Sequence, residues 1–559
     1  MSKMTDWWKK SVVYQVYPQS FKDTSGNGIG DLNGIKAKLP YLAKLGIDVI
    51  WLNPIYQSPL IDNGYDISDY YQINPIYGTM TDFEALLQAA HDLGIKIIMD
   101  LVVNHTSDQH QWFKQSKQSK DNEFSDFYIW KDPNLDGTPP TDWGSTFGGS
   151  AWEYVESRNQ YYLHLFAKEQ PDLNWENPKV RQAVYHMMDS WFLKGVDGFR
   201  MDVISLISKR QDWPQALPDA VYTKSYYVGA SNGPRVHEFL QEMNAEVLSK
   251  YEVMTVGETA NTSSEQAILY TDPNRHELDM IFHFDHMHLD YGKYGKFSDI
   301  RYKMSDLRTV MTEWQDKLED KGWNSLYWSN HDQPRTVTRF GNDGRYRVES
   351  AKMLATLLHM MKGTPYIFQG EEIGMRNVPF ESLNQYQDIE TKAMIDEMRQ
   401  AGESEAYIKK VVYLKSRDNA RTPIAWTSGG NFGFTEGKPW IDFSPDNELI
   451  NVESTLEDPQ SVFYHYQKLI ALRKSHEVIV EGLYELINPH DSAVYGYTRS
   501  LNDEKLVVIC SFSAYKVNYQ VTDELVGAKL LLSNYTDSEV ELAEQIELKP
   551  YEALIYLKE

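Results

Sequence analysis

The chain has one cysteine in 559 residues, Cys510, so no intrachain disulfide can form and the core must close without covalent staples. Positive charge is also scarce. Fifty-five lysines and arginines stand against 80 aspartates and glutamates, a formal net charge of −25. That surplus repels nucleic acid phosphates and anionic lipid surfaces, which leaves a neutral small molecule as the easier partner. No run of about 20 apolar residues is present to span a bilayer. The opening MSKMTDWWKKSVVYQ has no apolar stretch of signal-peptide length. The expectation is a cytoplasmic, monomeric protein that binds neither nucleic acid nor membrane. There is no internal repeat, no low-complexity tract and no phosphate-binding glycine loop after the first strand-like run, which counts against a doubly wound nucleotide-binding sheet.

What the chain does have is order. Eight apolar, β-branched runs bounded by loop signals occupy its first two-thirds: VVYQVYP (12–18), DVIWLNP (48–54), IKIIMDLVV (95–103), GFRMDV (198–203), VMTVGE (253–258), DMIFHF (279–284), SLYWSN (325–330) and TPYIFQG (364–370). Helical spacing fills most of the gaps, as in 81–94, 180–195 and 347–363, each closing on glycine as a helix stop should. Eight such alternations predict an α/β fold, a (β/α)8 barrel. Two connections are too long to be plain loops. Residues 106–174, rich in aromatics, read as an inserted domain after the third strand, and about 374–434 carries a helical pair around 390–416. From about 480 the pattern changes to short strands with polar turns, which predicts a C-terminal β-sandwich. The expected division is 1–105 and 175–479 for the barrel, 106–174 for the insert and 480–559 for the β domain.

Three of the strand-like runs end in or lead into an acid: Asp202, Glu258 and Asp332. A parallel barrel delivers such residues to one rim, because catalytic groups project from the C-terminal ends of different strands. Two facing carboxyls with a third nearby is the chemistry of glycosidic-bond cleavage. Arg200, two residues before Asp202 on the same strand face, is placed to hold that carboxyl ionised. A sugar site also needs flat apolar faces, and aromatics make up 13% of the chain.

DLVVNH (100–105), GFRMD (198–202), GE (257–258) and NHD (330–332), in this order, resemble the four signature regions of the α-amylase superfamily of retaining α-glycoside hydrolases. QPDLNW (170–175) is similar to the fifth region of its oligo-1,6-glucosidase and dextran glucosidase subfamily. The resemblance covers nearly the whole chain. It implies Asp202 as nucleophile, Glu258 as general acid/base in a poorly solvated spot, and Asp332 as transition-state stabiliser. His105 and His331 resemble the family's neutral donors to sugar hydroxyls. Asp62 and Tyr65 in IDNGYD match positions that recognise the terminal glucose, and Arg417 in KSRDNARTP resembles the partner that closes the pocket with Asp62. Phe147 and Phe166 look like its apolar walls, and Glu371 like a reach toward the aglycone side.

Val203, directly after the expected nucleophile, matches the residue that accompanies α-1,6 preference in this family. Ala260 stands where dextran glucosidases place a tryptophan, which favours short substrates such as isomaltose over long dextran. In FKDTSGNGIGD (21–31) the oxygens of Asp23, Ser25, Asn27 and Asp31 and the Ile29 carbonyl suit a structural Ca2+, although the family often has Asn and Asp at positions 25 and 27. The alternatives are a trehalose-6-phosphate hydrolase, an α-1,4-preferring maltase, or a non-catalytic member of the superfamily. The first would need cations for its phosphate, where 282–297 is acidic and histidine-rich until Lys293 and Lys296. Sucrose isomerases also resemble the chain, but their RLDR loop is absent. The last would normally lose the acids, and this chain keeps all three.

Overall fold

In the computed structural model, which describes residues 6–217 and 225–559, the eight runs pair as parallel strands: β1 (Val13–Val16), β2 (Val49–Leu52), β3 (Lys96–Val102), β4 (Gly198–Asp202), β5 (Met254–Glu258), β6 (Met280–Phe282), β7 (Ser325–Leu326) and β8 (Thr364–Phe368). Their order around the sheet is β6-β5-β4-β3-β2-β1-β8-β7. A parallel bridge from Ile281 to Asn324 brings β6 and β7 together, and the Ser325 hydroxyl donates to the Ile281 carbonyl at 2.6 Å across the same seam. The ring is therefore a closed barrel. Most strand positions are buried on both faces, as expected where helices cover the outside and side chains fill the inside.

The outer helices are α1 (Leu32–Leu45), α2 (Met80–Asp92), α3 (Pro178–Leu193), α4 (Val236–Glu246), α5 (Ser264–Thr271), α6 (Met304–Lys317), α7 (Arg347–His359) and α8 (Val462–Ser475). Local chemistry sets several of their ends. Thr79 and Asp82 form a reciprocal capping box on α2, and Asn177 caps α3 just before Pro178. One stop works differently from its sequence reading. Helix α7 ends at His359, and Gly363 serves the barrel instead: a Cβ there would sit 2.6 Å from the Asn324 carbonyl oxygen. Gly198 is required for the same reason. A Cβ at the start of β4 would lie 2.0 Å from the Met254 carbonyl oxygen, so only glycine lets β4 and β5 approach closely enough to align their acids.

Strand β7 is also shorter than its apolar run suggests. After Leu326 the chain leaves the sheet, and the Asn330 side chain accepts from the Asp332 amide at 2.8 Å, so Asp332 stands on a side-chain-braced turn rather than at a strand end.

Between β3 and α3 lie a short helix, Gln111–Ser116, and an antiparallel sheet whose central strand, Gln160–Leu163, pairs with Trp130–Lys131 and Trp152–Val155. An isolated bridge of His105 to Asp172 and the Leu173 amide, which donates to the Asn104 carbonyl at 2.8 Å, bind this segment to the barrel rim. Helices Ile389–Gln400 and Glu405–Lys415 follow β8. The last 80 residues form a five-stranded antiparallel sheet and a two-stranded one, with Val507 and Tyr556 of the first and Tyr519 and Leu548 of the second sharing an apolar core. They seat on α7 through Tyr497, whose hydroxyl donates to the Leu357 carbonyl at 2.6 Å, and through Arg499, which reaches the Met360 carbonyl at 2.7 Å. Among the described residues no helix is long and apolar enough to cross a membrane.

Candidate active site

Arg200 is the centre of the rim. Its side chain is 1% exposed, and three carboxylates converge on it: Asp100 and Asp202 each accept from Nη1 at 2.8 Å, and Glu258 accepts from Nη2 at 2.5 Å. Strands β3, β4 and β5 are hydrogen-bonded neighbours, so residues 100, 202 and 258 reach one guanidinium from three consecutive staves. The sequence reading expected Arg200 to hold Asp202 low. The balance runs the other way: burial pushes Asp202 well above the usual carboxylate range, Arg200 opposes it, and Glu258 and Asp100 add to the rise. One cation cannot neutralise three buried carboxylates, and that excess of negative charge is why Arg200 does not hold Asp202 down.

Asp332 faces the opposite situation. Burial alone would raise it, but His331, Arg417 and Arg421 outweigh that and hold it well below the usual carboxylate range. Arg417 and Arg421 reach its Oδ1 at 3.1 and 2.8 Å. The same two arginines are anchored by Asp388, a fully buried carboxylate that meets Arg417 at 2.6 Å and Arg421 at 3.2 Å and is itself pulled down by them against burial. Arg417 also meets Asp62 at 3.1 Å. The Asp62–Arg417 pair is thus one edge of a buried ion network, which joins the loop after β2 to the segment after β8.

Flat groups join the acid cluster to this network. The Tyr65 and His331 rings stack at 5.1 Å and 7°, while the Tyr65 hydroxyl donates to Asp100 at 2.9 Å. His105 packs beside Phe166 at 5.1 Å, Phe166 beside Phe147 at 5.9 Å, and the Arg417 guanidinium lies 5.1 Å from the Phe147 ring centre. Gln170 of the QPDLNW segment donates to Asp62 at 3.2 Å. Burial lowers His105, which keeps it a neutral donor or acceptor. Asp62, Tyr65, His105, Phe147, Phe166, Arg200, Asp202, Val203, Glu258, His331, Asp332 and Arg417 therefore belong to one connected site.

The Alpha amylase catalytic domain family matches residues 15–482. The chain belongs to this family. It is 56% identical to an oligo-1,6-glucosidase of Parageobacillus thermoglucosidasius over 98% of both chains, and 50% identical to a trehalose-6-phosphate hydrolase of Bacillus subtilis over 99% of both. Its fold superimposes on the crystal structure of a trehalose-6-phosphate hydrolase of Bacillus licheniformis with a TM-score of 0.95, at 51% identity over 99% of this chain and 100% of the other. It is a glycoside hydrolase.

One expectation drawn from the family resemblance does not hold. Glu371 does not face the pocket: its carboxylate accepts from Thr336 at 2.9 Å and from Tyr466 of outer helix α8 at 3.5 Å, and burial pushes it up to about 8. The acid bordering the site is Glu390, which pairs with Lys296 and lies 3.4 Å from Arg417. The loop 21–31 is closed by its own hydrogen bonds. Asp23 accepts from the amides of Ser25, Gly26 and Gly28 and the hydroxyls of Ser25 and Thr435, five donors for a group with about four lone-pair positions. Asp31 is taken up by Thr24, Ser25 and the amide of Gly34, and the Asn27 carbonyl by the Ile29 amide. These hydrogen bonds engage the same oxygens of Asp23, Ser25, Asn27 and Asp31 on which the expected Ca2+ would draw.

Sequence reasoning also passed over Asp100, Asp388, Arg421 and the Lys296–Glu390 pair. Asp100 did carry a signal. An acid inside the apolar run IKIIMDLVV is costly without a buried partner, and here it has Arg200, Tyr65 and Trp51.

Proposed function

We propose that this chain is a retaining, exo-acting α-glucosidase of the oligo-1,6-glucosidase type, which releases single glucose units from the non-reducing ends of isomaltose and short isomalto-oligosaccharides. The observation that carries exo-action is the Asp62–Arg417 contact, buried and backed by Asp388, which closes the pocket opposite the acid cluster. A pocket closed there admits a terminal sugar and no internal segment of a longer chain.

Asp202, as the carboxylate, attacks the anomeric carbon, while Glu258 gives its proton to the leaving glycosidic oxygen. The resulting glucosyl–Asp202 ester is then hydrolysed by a water that Glu258 deprotonates. Neighbouring nitrogens of one guanidinium hold both carboxylates, which supports the short spacing of about 5–5.5 Å that retention needs. Arg200 and the positive charge that grows at the anomeric centre both favour the ionised form of Asp202 that attacks. Asp332, held ionised by two arginines, supplies fixed negative charge to the same transition state. His105 and His331 serve the sugar hydroxyls, and Tyr65 gives the apolar floor.

Short α-1,6 substrates are favoured by Val203 beside the nucleophile and by the small Ala260, with no tryptophan platform there. The trehalose-6-phosphate hydrolase relatives raise a second reading, which requires cations to meet a phosphate. Lys293 is paired with Glu403, and Lys296, 10% exposed, with Glu390, so both charges are already committed to acids. The deciding experiment compares kcat/KM on isomaltose, maltose and trehalose 6-phosphate and follows the first product by NMR. Isomaltose should be preferred and α-glucose should appear first; a preference for trehalose 6-phosphate overturns the substrate assignment, and initial β-glucose overturns the retaining mechanism.

A further inference from the structure

Of the 13 non-glycine residues with positive φ among the described ones, Val203 alone is β-branched; its φ is 37° and its ψ 40°. That conformation is a true outlier for valine, because both branches crowd the backbone. It is held for a reason that can be read from its neighbours. The chain leaves β4 at Asp202 and turns at once into the short helical turn Ile204–Leu206, with the Leu206 amide donating back to the Val203 carbonyl at 2.8 Å. In this left-handed pose the Val203 amide points across to β5 and donates to Glu258 Oε2 at 3.1 Å. The Val203 side chain packs against the apolar cluster of the inserted segment, which includes Ile129, Trp152, Leu163 and Leu165. Packing on one side thus pins a strained backbone on the other.

Oε2 of Glu258 therefore takes two donors, the Val203 amide and Arg200 Nη2 at 2.5 Å. Among the described residues Oε1 takes none, although the side chain is 11% exposed. The two oxygens are not equivalent. We propose that Val203 is a positioning residue for Glu258 through its main chain: its amide fixes Oε2, so that Oε1 is the atom that carries the proton to the leaving oxygen. The inference rests on the proposed role of Glu258 and deepens it. As the Oε1–H bond breaks, the proton joins the glycosidic oxygen while the C–O electron pair leaves with that oxygen. The carboxylate left on Glu258 delocalises its charge onto Oε2, where the amide and the guanidinium already stand. Both contacts strengthen as charge develops, which is where an interaction speeds a reaction rather than merely binding substrate. Residue 203 then acts on catalysis through its backbone as well as through the bulk of its side chain.

The test compares Val203→Ala with Val203→Gly. Both remove the side chain's bulk and the packing that pins the turn, but alanine keeps the left-handed strain and leaves the pose, whereas glycine adopts φ near +40° without strain and keeps its amide on Glu258. The substrates are isomaltose, whose leaving group needs full protonation, and 2,4-dinitrophenyl α-glucoside, whose leaving group needs almost none. The expected result is that Val203→Ala loses about tenfold more kcat/KM on isomaltose than Val203→Gly does, with the two variants within about twofold of each other on the aryl glucoside. Val203→Gly should melt no lower than Val203→Ala, since glycine carries no strain in that pose, and the aryl glucoside, which a merely destabilised fold would also cease to turn over, separates lost positioning from lost stability. Equal isomaltose-to-aryl ratios in the two variants would overturn the proposal. Glu258→Gln separates this result from failure of the underlying reading: if it spares isomaltose turnover, Glu258 is not the acid and the mechanism itself is wrong.

Discussion

Replacing Arg417 by alanine tests the buried network most directly. The resemblance gave Arg417 one partner, Asp62, but the side chain is 7% exposed and meets Asp388 at 2.6 Å and Asp62 and Asp332 at 3.1 Å each. Arg421 would still cover Asp388 and Asp332 at 3.2 and 2.8 Å, whereas Asp62 would keep only the Gln170 amide at 3.2 Å. Breaking a buried pair by removing one partner costs about 3–5 kcal/mol, because the other charge stays buried. With an unfolding entropy of about 2.1 cal/mol/K per residue over 559 residues, that corresponds to a fall in Tm of roughly 3–4 °C if the chain unfolds as one unit. Calorimetry at pH 7 with KM for isomaltose measured in parallel should show both the drop and weakened binding. The pH dependence supplies a signature. Asp332 and Asp388 titrate below their unfolded value, so their stabilisation is present above the ordinary carboxylate range, near 3.9, and is lost as pH falls through the depressed folded values. Wild type should therefore lose more stability on acidification than Arg417→Ala, and the two melting curves should converge. A fall below about 1 °C at pH 7, or a gap that does not narrow in acid, would falsify the buried-network argument even if KM rose.

Other perturbations follow from the same charges. Asp388→Asn keeps an acceptor for the Thr391 amide that caps the helix Ile389–Gln400, so it should fold, yet it should raise KM for isomaltose through a loosened Arg417; an unchanged KM would make Asp388 purely structural. Glu371→Gln should leave KM unaltered. Because Glu371 is raised to about 8 in the folded chain, the native state binds more protons than the unfolded one between about 4.5 and 8, so wild-type stability falls across that window as pH rises, and the Tm advantage of Glu371→Gln should grow from pH 5 to pH 8. A constant difference across that range would refute the sign. Removing divalent cations with EDTA, or adding millimolar Ca2+, should shift Tm by less than about 1 °C, since the donors of loop 21–31 already saturate Asp23 and Asp31; a large Ca2+-dependent rise would mean that the loop opens to take the ion.

The barrel was legible because its information is local. Each of the eight runs carries its own β-branched or aromatic residues and its own stops, and parallel pairing then needs no further instruction. Boundaries were less so where tertiary contacts override the pattern. SLYWSN reads as six strand residues, but only Ser325 and Leu326 stay paired, because Asn330 bends the chain to present Asp332. Gly363 looks like a helix stop and is a close-approach glycine, and nothing in the local sequence distinguishes those two uses.

The site was legible as a set of motifs but not as a distribution of charge. Asp202, Glu258 and Arg200 could be named from their strands, whereas the sign of the shift on Asp202 depended on counting every acid around Arg200, and Asp100 comes from a strand about 100 residues earlier. The same limit applies to Asp388. Locally it is a helix cap before IETK, and its partners Arg417 and Arg421 are four residues apart around the short helix Asp418–Arg421, which gives no outward sign of facing inward. Once both clusters are placed, their difference explains the opposite shifts. Three acids share one cation on the β3–β5 side, where Asp202 is raised; two cations flank Asp332 on the β7–β8 side, where it is held low. Asp202 and Asp332 are the same kind of carboxyl, each at the rim of the same barrel. The arginines and acids around each, rather than its own identity, set the direction in which it shifts.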